Sequence, residues 1–147
     1  MLVASGGGHW VELMRLVPAF EHCSLAFVTV QSDYKPQTQA YKGSRFYTVF
    51  DVTRWNKIRW IQTVLKLLYI LLRERPEVVV STGALPGYFA LRLAKLMGAR
   101  TVWVDSIANV EELSKSGQMI GSHATLWLTQ WEHLASSDGP SCQGAVI

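Results

Sequence analysis

The stretch at residues 2–16, LVASGGGHWVELMRL, limits the fold more than any other part of the chain. Leu2 to Ala4 suits a short buried strand and Ser5-Gly6-Gly7-Gly8 a tight turn; from His9 onward Val11, Leu13, Met14 and Leu16 recur at helical spacing. A strand, a glycine turn and a helix start leave the backbone of the turn open to a ligand, with the free N–H groups of the helix aimed at it. Such a place favours an anion, most often a phosphate. His9 stands beside it, and an imidazole can take up a proton near neutral pH.

The same plan recurs later in the chain. Glu77 to Ser81 (EVVVS) reads as a central parallel strand, followed by a second glycine loop, Thr82-Gly83-Ala84-Leu85-Pro86-Gly87, and a helix over Tyr88 to Met97. Leu25 to Val30, Phe46 to Phe50, Arg100 to Val104 and Ala124 to Thr129 read as further strands, and Lys57 to Arg73 as a long helix. A short helix is predicted over Val110 to Ser114, and Gln31 to Ser44 reads as a long polar loop. This alternation predicts an α/β fold, a Rossmann-like parallel sheet with helices on both faces.

Ligands of such sheets collect at the carboxyl ends of the strands, near the point where the strand order reverses. Both glycine loops would open there together with Asp105, Ser106 and Gln130. Candidate substrate-binding residues are therefore Gly6, Gly7, Gly8, Thr82, Gly83, Gly87, Asp105, Ser106 and Gln130, and the candidate catalytic pair is His9 and Glu12. His9 is placed to act as a base toward a ligand hydroxyl. Glu12, one turn further along the helix, could orient the imidazole or meet the ligand, although a carboxylate is also favoured in a first helical turn for its own sake.

On the helix over Lys57 to Arg73 the polar residues Arg59, Gln62, Thr63 and Lys66 fall on one narrow stripe, and the rest is largely apolar. The expectation is a helix packed on the sheet with little exposed surface. An alternative lets it also touch lipid, with Trp55, Trp60 and the basic ends as interfacial anchors. Ile58 to Leu72, the longest apolar run, contains Arg59 and Lys66 and is shorter than the ~20 residues of a spanning helix.

Several classes lose support. The net charge is +3 and only 17% of residues are charged, with no dense Lys/Arg block, so nucleic acid is not an expected partner; an anionic small molecule or membrane surface fits better. Val11 stands where a dinucleotide fingerprint needs its third glycine, and neither a P-loop nor a G-x-S-x-G elbow is present. His9, His22, His123 and His133 lack metal-ligand spacing, so neither a metal nor a cofactor is expected. Cys23 and Cys142 lie far apart without a partner motif and suggest reduced thiols. The 147 residues suit one domain over residues 1–135, with SSDGPSCQGAVI at 136–147 as a tail on its surface or toward a partner.

SGGGHWVEL at 5–13, STGALPGY at 81–88 and VDSIANVEELSKSGQMIGSHATLWLTQWEHL at 104–134 resemble the membrane-associated, acceptor-binding subunit of two-component UDP-sugar glycosyltransferases. That family includes the anchor subunit of the eukaryotic dolichyl-diphosphate N-acetylglucosamine transferase and bacterial exopolysaccharide or capsule counterparts. The resemblance spans nearly the whole chain. It implies the N-terminal, acceptor-side half of a split GT-B enzyme, with a separate catalytic subunit binding most of the UDP-sugar and a polyprenyl-diphosphate-linked saccharide as acceptor. His9 matches the place of the proposed acceptor-side base. Asn109 departs from the Arg of eukaryotic relatives, and the chain starts at its first strand without their N-terminal anchor. The resemblance thus points to a bacterial, cytoplasmic protein, peripheral on the inner face of the cell membrane. The alternative is a non-catalytic anchor that recruits and activates the catalytic subunit.

Overall fold

The computed structural model describes residues 1–52 and 56–146. Its described strands are β1 (Leu2–Val3), β2 (Ala26–Thr29), β3 (Arg45–Thr48), β4 (Val78–Ser81), β5 (Arg100–Val104), β6 (Leu126–Thr129) and β7 (Ser141–Cys142). They form one parallel sheet in the order β3-β2-β1-β4-β5-β6-β7. The helices are α1 (Gly8–Leu16), α2 (Lys35–Thr38), α3 (Lys57–Glu74), α4 (Ala84–Leu96) and α5 (Lys115–Ile120).

Successive residues of a strand point to opposite faces, so a parallel strand covered on both sides must be apolar throughout. On one face Val3, Val28, Val79 and Trp103 pack against Leu67, Ile70 and Leu71 of α3, Leu91 of α4 and Ile120 of α5. On the other, Leu2, Ala4, Phe27 and Val80 meet Trp10, Leu13 and Val17 on and just after α1. The architecture is the expected Rossmann-like one.

The structure corrects several local expectations. The short helix of the 107–122 region lies at Lys115–Ile120 rather than at 110–114, because Ser114 is its cap: the Ser114 side chain accepts the Gly117 N–H at 2.9 Å. The polar segment 31–44 is not loop throughout, since a 3-10 turn at Ser32–Tyr34 leads into α2. Pro36 fits there because a first helical turn has no use for its missing N–H. Helix α4 begins at Ala84, earlier than predicted, with Pro86 tolerated in its first turn for the same reason. Within 136–147, Ser141 and Cys142 add a seventh strand beside β6.

Helix α3 departs furthest from expectation. Thr63, placed on the polar stripe by its spacing, is buried and donates its hydroxyl to the Phe50 carbonyl at 3.2 Å. The buried side of the helix is Thr63, Leu67, Ile70 and Leu71, packed between the sheet and α4. No described residue covers the opposite side, where Ile58, Ile61, Leu65, Tyr69 and Leu72 are 55–71% exposed. Trp60 meets Phe89 of α4 edge-on at 5.5 Å, while Trp55 lies outside the described residues.

Candidate functional site

The chain runs outward from β1 to β2 and β3, then crosses back to β4 and continues outward to β7. The order therefore reverses between β1 and β4, and the carboxyl ends of those two strands border the crevice where such sheets hold ligands. The two glycine turns follow those strands. Gly7, at the cap of α1, has a φ of 67°, a left-handed conformation that a side chain would strain. Gly7 and Gly8 are exposed, and a side chain on either would meet nothing within 4 Å, so the backbone there is open to approach.

A reciprocal pair of hydrogen bonds clasps the turns together. The Thr82 hydroxyl donates to the His9 carbonyl at 2.6 Å, and His9 Nδ1 lies 3.0 Å from the Thr82 carbonyl. A carbonyl only accepts, so Nδ1 carries the proton of this contact, and in the neutral form of the ring the lone pair then falls on Nε2. The ring rests on the second turn: a Cβ added to Gly83 would stand 2.5 Å from both Cε1 and Nδ1 of His9. Gly83 has a φ of 148° and Ala84 one of 65°, the latter a strained value for an alanine at the start of α4.

Glu12 is only 4% exposed. Its Oε1 accepts the Ser106 hydroxyl at 2.9 Å and the Ile107 N–H at 2.8 Å, joining α1 to the segment after β5. Its Oε2 is buried without a hydrogen-bond partner, 4.0 Å from His9 Nδ1. The arrangement can position the imidazole and oppose positive charge on it once Nε2 has taken a proton.

The other predicted residues turn their polar groups inward. Asp105 accepts the Ser114 N–H at 2.8 Å, the Ser114 hydroxyl, and the Trp103 indole N–H at 3.2 Å. Gln130 donates to the Asp105 carbonyl at 3.0 Å and accepts the Val146 N–H at 2.7 Å. Gly87 gives α4 room against the Ser81 side chain, and Gly6 lies beneath the side chain of Gln31. The structure thus brings together His9, Glu12, Thr82, Gly83 and Ser106 beside the open Gly7 and Gly8. Gly87, Asp105 and Gln130 brace that group from within.

Sequence reasoning missed Tyr34. Its hydroxyl accepts the Gly7 N–H at 3.0 Å, which leaves its own proton to donate, and its ring stacks on Trp10 with centroids 4.9 Å apart. Trp10 donates its indole N–H to Gln37 at 2.8 Å, so residues 31–37 lie against the first glycine turn and the start of α1. The available signal was Trp10 itself, an indole on a buried helix face whose N–H needs a polar partner. Among the described residues no group of three or more His, Cys, Asp or Glu side chains could hold a metal ion.

The family model described as "Oligosaccharide biosynthesis protein Alg14 like" matches residues 1–143. The chain belongs to this family. Its Alg14-like relatives include the mouse protein named UDP-N-acetylglucosamine transferase subunit ALG14, 24% identical over 164 aligned positions that cover 91% of this chain and 76% of the mouse protein. The protein of the same name from Candida albicans is 23% identical, over 90% of this chain and 70% of its own length. Among solved structures, Acinetobacter baumannii MurG superposes with a TM-score of 0.73 at 9% identity, covering 98% of this chain. The chain spans 46% of MurG, and at that identity the likeness is one of fold. A UDP-GlcNAc 2-epimerase from Methanocaldococcus jannaschii aligns over 70% of this chain and 30% of its own, with a TM-score of 0.53 at 14% identity.

Proposed function

We propose that this Alg14-like chain is the acceptor-binding subunit of a bipartite glycosyltransferase. In this reading it works with a separate catalytic subunit to move a sugar from a UDP-sugar, UDP-N-acetylglucosamine by the names of its relatives, onto a polyprenyl-diphosphate-linked saccharide. The setting is the cytoplasmic face of a bacterial cell membrane, and the product feeds polysaccharide assembly. The observation that carries the reading is the reciprocal clasp between His9 and Thr82, which joins the two glycine turns beside the switch point of the sheet and, in the neutral imidazole, leaves Nε2 as the basic nitrogen.

The backbone at Gly8 and the N-terminal end of α4 would hold acceptor phosphate oxygens, with the Tyr34 hydroxyl, which takes the Gly7 N–H, free to donate its own proton. His9 Nε2 would take the proton of the acceptor hydroxyl as that oxygen attacks the anomeric carbon and the UDP leaves. Glu12 would steady the resulting imidazolium. The donor is shared with the partner subunit. Sugar transfer by the reconstituted pair tests this: His9→Ala should remove nearly all turnover, and turnover near the parent level would take His9 out of the mechanism.

The inward orientation of Asp105 and Gln130 favours a second reading, because few side chains are left to meet a substrate. There the chain only recruits and orders the catalytic subunit. Substitutions in the first turn would then matter little, whereas changes within 136–147 would abolish association.

A further inference from the structure

Helix α3 carries three distinct stripes. One, with Thr63, Leu67, Ile70 and Leu71, is buried against the rest of the protein. At about 100° per residue, Ile58, Ile61, Leu65, Tyr69 and Leu72 line up along the opposite side, and every one is more than half exposed. Arg59, Lys66 and Arg73 recur at intervals of seven residues and form a row of cations along one flank of that apolar stripe.

The only acidic residue of α3 is Glu74, whose side chain is 5% exposed and is bound by Arg45 and by the Tyr47 hydroxyl. The outward surface of the helix therefore carries positive charge alone. Isolated exposed apolar residues are ordinary, but five in register on one helix are not. No helix among the described residues is long and apolar enough to cross a membrane. An apolar ridge flanked by cations, on a helix that cannot span, matches a helix lying in the plane of a lipid interface.

We infer that the outward face of α3 docks this chain on an anionic lipid surface, with the apolar ridge among the acyl chains and Arg59, Lys66 and Arg73 at the headgroup phosphates. The charge row selects this occupant, because a second copy of the chain would set like charges against each other. The inference deepens the proposed function by assigning the membrane-facing surface. Helix α3 starts on the carboxyl-end side of the sheet, where the glycine turns lie, so docking would hold the site near the headgroup layer.

Co-sedimentation of the full chain with vesicles tests it, without nucleotide sugar or a partner subunit. Binding should be strong on mixed phosphatidylglycerol and phosphatidylcholine, fall steeply with salt, and be at least about tenfold weaker on phosphatidylcholine alone. Ile61→Ser with Leu65→Ser should weaken binding to the anionic vesicles by about tenfold or more. Arg59→Gln, Lys66→Gln and Arg73→Gln together should remove the preference for anionic lipid. If the first pair melts below the parent chain, Ile58→Ser with Tyr69→Ser carries the same test.

Parent-like binding by a folded ridge variant overturns the inference. So does failure of the parent chain to bind anionic vesicles, or a parent dimer that the ridge substitutions dissolve. The transferase reading is judged separately, by the effect of His9→Ala on turnover, which should leave vesicle binding unchanged.

Discussion

The carboxylate of Glu12 holds the hydroxyl of Ser106 at 2.9 Å across 94 residues of sequence, and the same oxygen accepts the Ile107 N–H. Helix α1 is thereby fixed to the segment after β5, and the carboxylate is kept next to His9. Glu12→Ala would strand one hydroxyl and one amide in a buried place, at a cost of about 2–4 kcal/mol. Glu12→Gln keeps an accepting oxygen and should lose about half as much or less. Urea unfolding of the two variants separates these outcomes. In the reconstituted pair Glu12→Gln should also lower kcat more than it raises KM, because the group opposing charge on the imidazole is gone.

Gly83 has a second constraint besides its φ of 148°, namely the imidazole lying against it. Gly83→Ala forces His9 off the Thr82 carbonyl or moves the turn. We expect a loss of about 1–3 kcal/mol in stability. The His9 ring resonances should shift in an NMR spectrum, and unchanged resonances would show that the ring does not rest there.

Asp105 receives three donors while 1% exposed. Asp105→Ala leaves the Trp103 and Ser114 donors without it and frees the Ser114 side chain that caps α5, so the expected loss is about 3 kcal/mol or more. Because that carboxylate faces inward, acceptor KM in the folded fraction should stay close to the parent value. A large rise in KM at parent-like stability would instead place Asp105 against the ligand.

Tyr47 is held above its ordinary pKa of 10.0 by burial and by its hydrogen bond to Glu74. A raised pKa means that the folded state favours the protonated phenol. The stability this contributes is complete below about pH 10 and is lost as pH rises through the folded value. Tyr47→Phe should therefore destabilise the protein at neutral pH and flatten its decline in alkali. Melting temperatures of both forms from pH 7 to about pH 11 check the crossover.

Much of this fold was legible because its determinants are local. The β-branched run at Val78–Val80 and the turn at Gly7 and Gly8 act within a few residues of themselves, and the structure keeps both strand-turn-helix units. That His9 and Glu12 lie near each other follows from their spacing along one helix. What escaped was non-local. Ser106 could not be seen as the partner of Glu12, nor Asp105 as the anchor of Ser114, because only the assembled sheet edge brings those groups together. Helix α3 escaped for a different reason: a largely apolar helix has no single face marked for the sheet. The side that Thr63 joined was decided by packing against α4 and by the Phe50 carbonyl. Tyr34 was hidden in a polar segment whose fold depends on Trp10.

The clasp between His9 and Thr82 spans 73 residues, and it lies where β1 is inserted between β2 and β4. Closing so long a loop is entropically slow, and no local turn can substitute for it. The clasp is therefore expected to be among the last features to form and the first to be lost. Weakening the clasp should quicken unfolding and leave the folding rate nearly unchanged. A chain still emerging from the ribosome would carry the whole of its first glycine turn and yet have no fixed His9 ring until Thr82 has been made and seated.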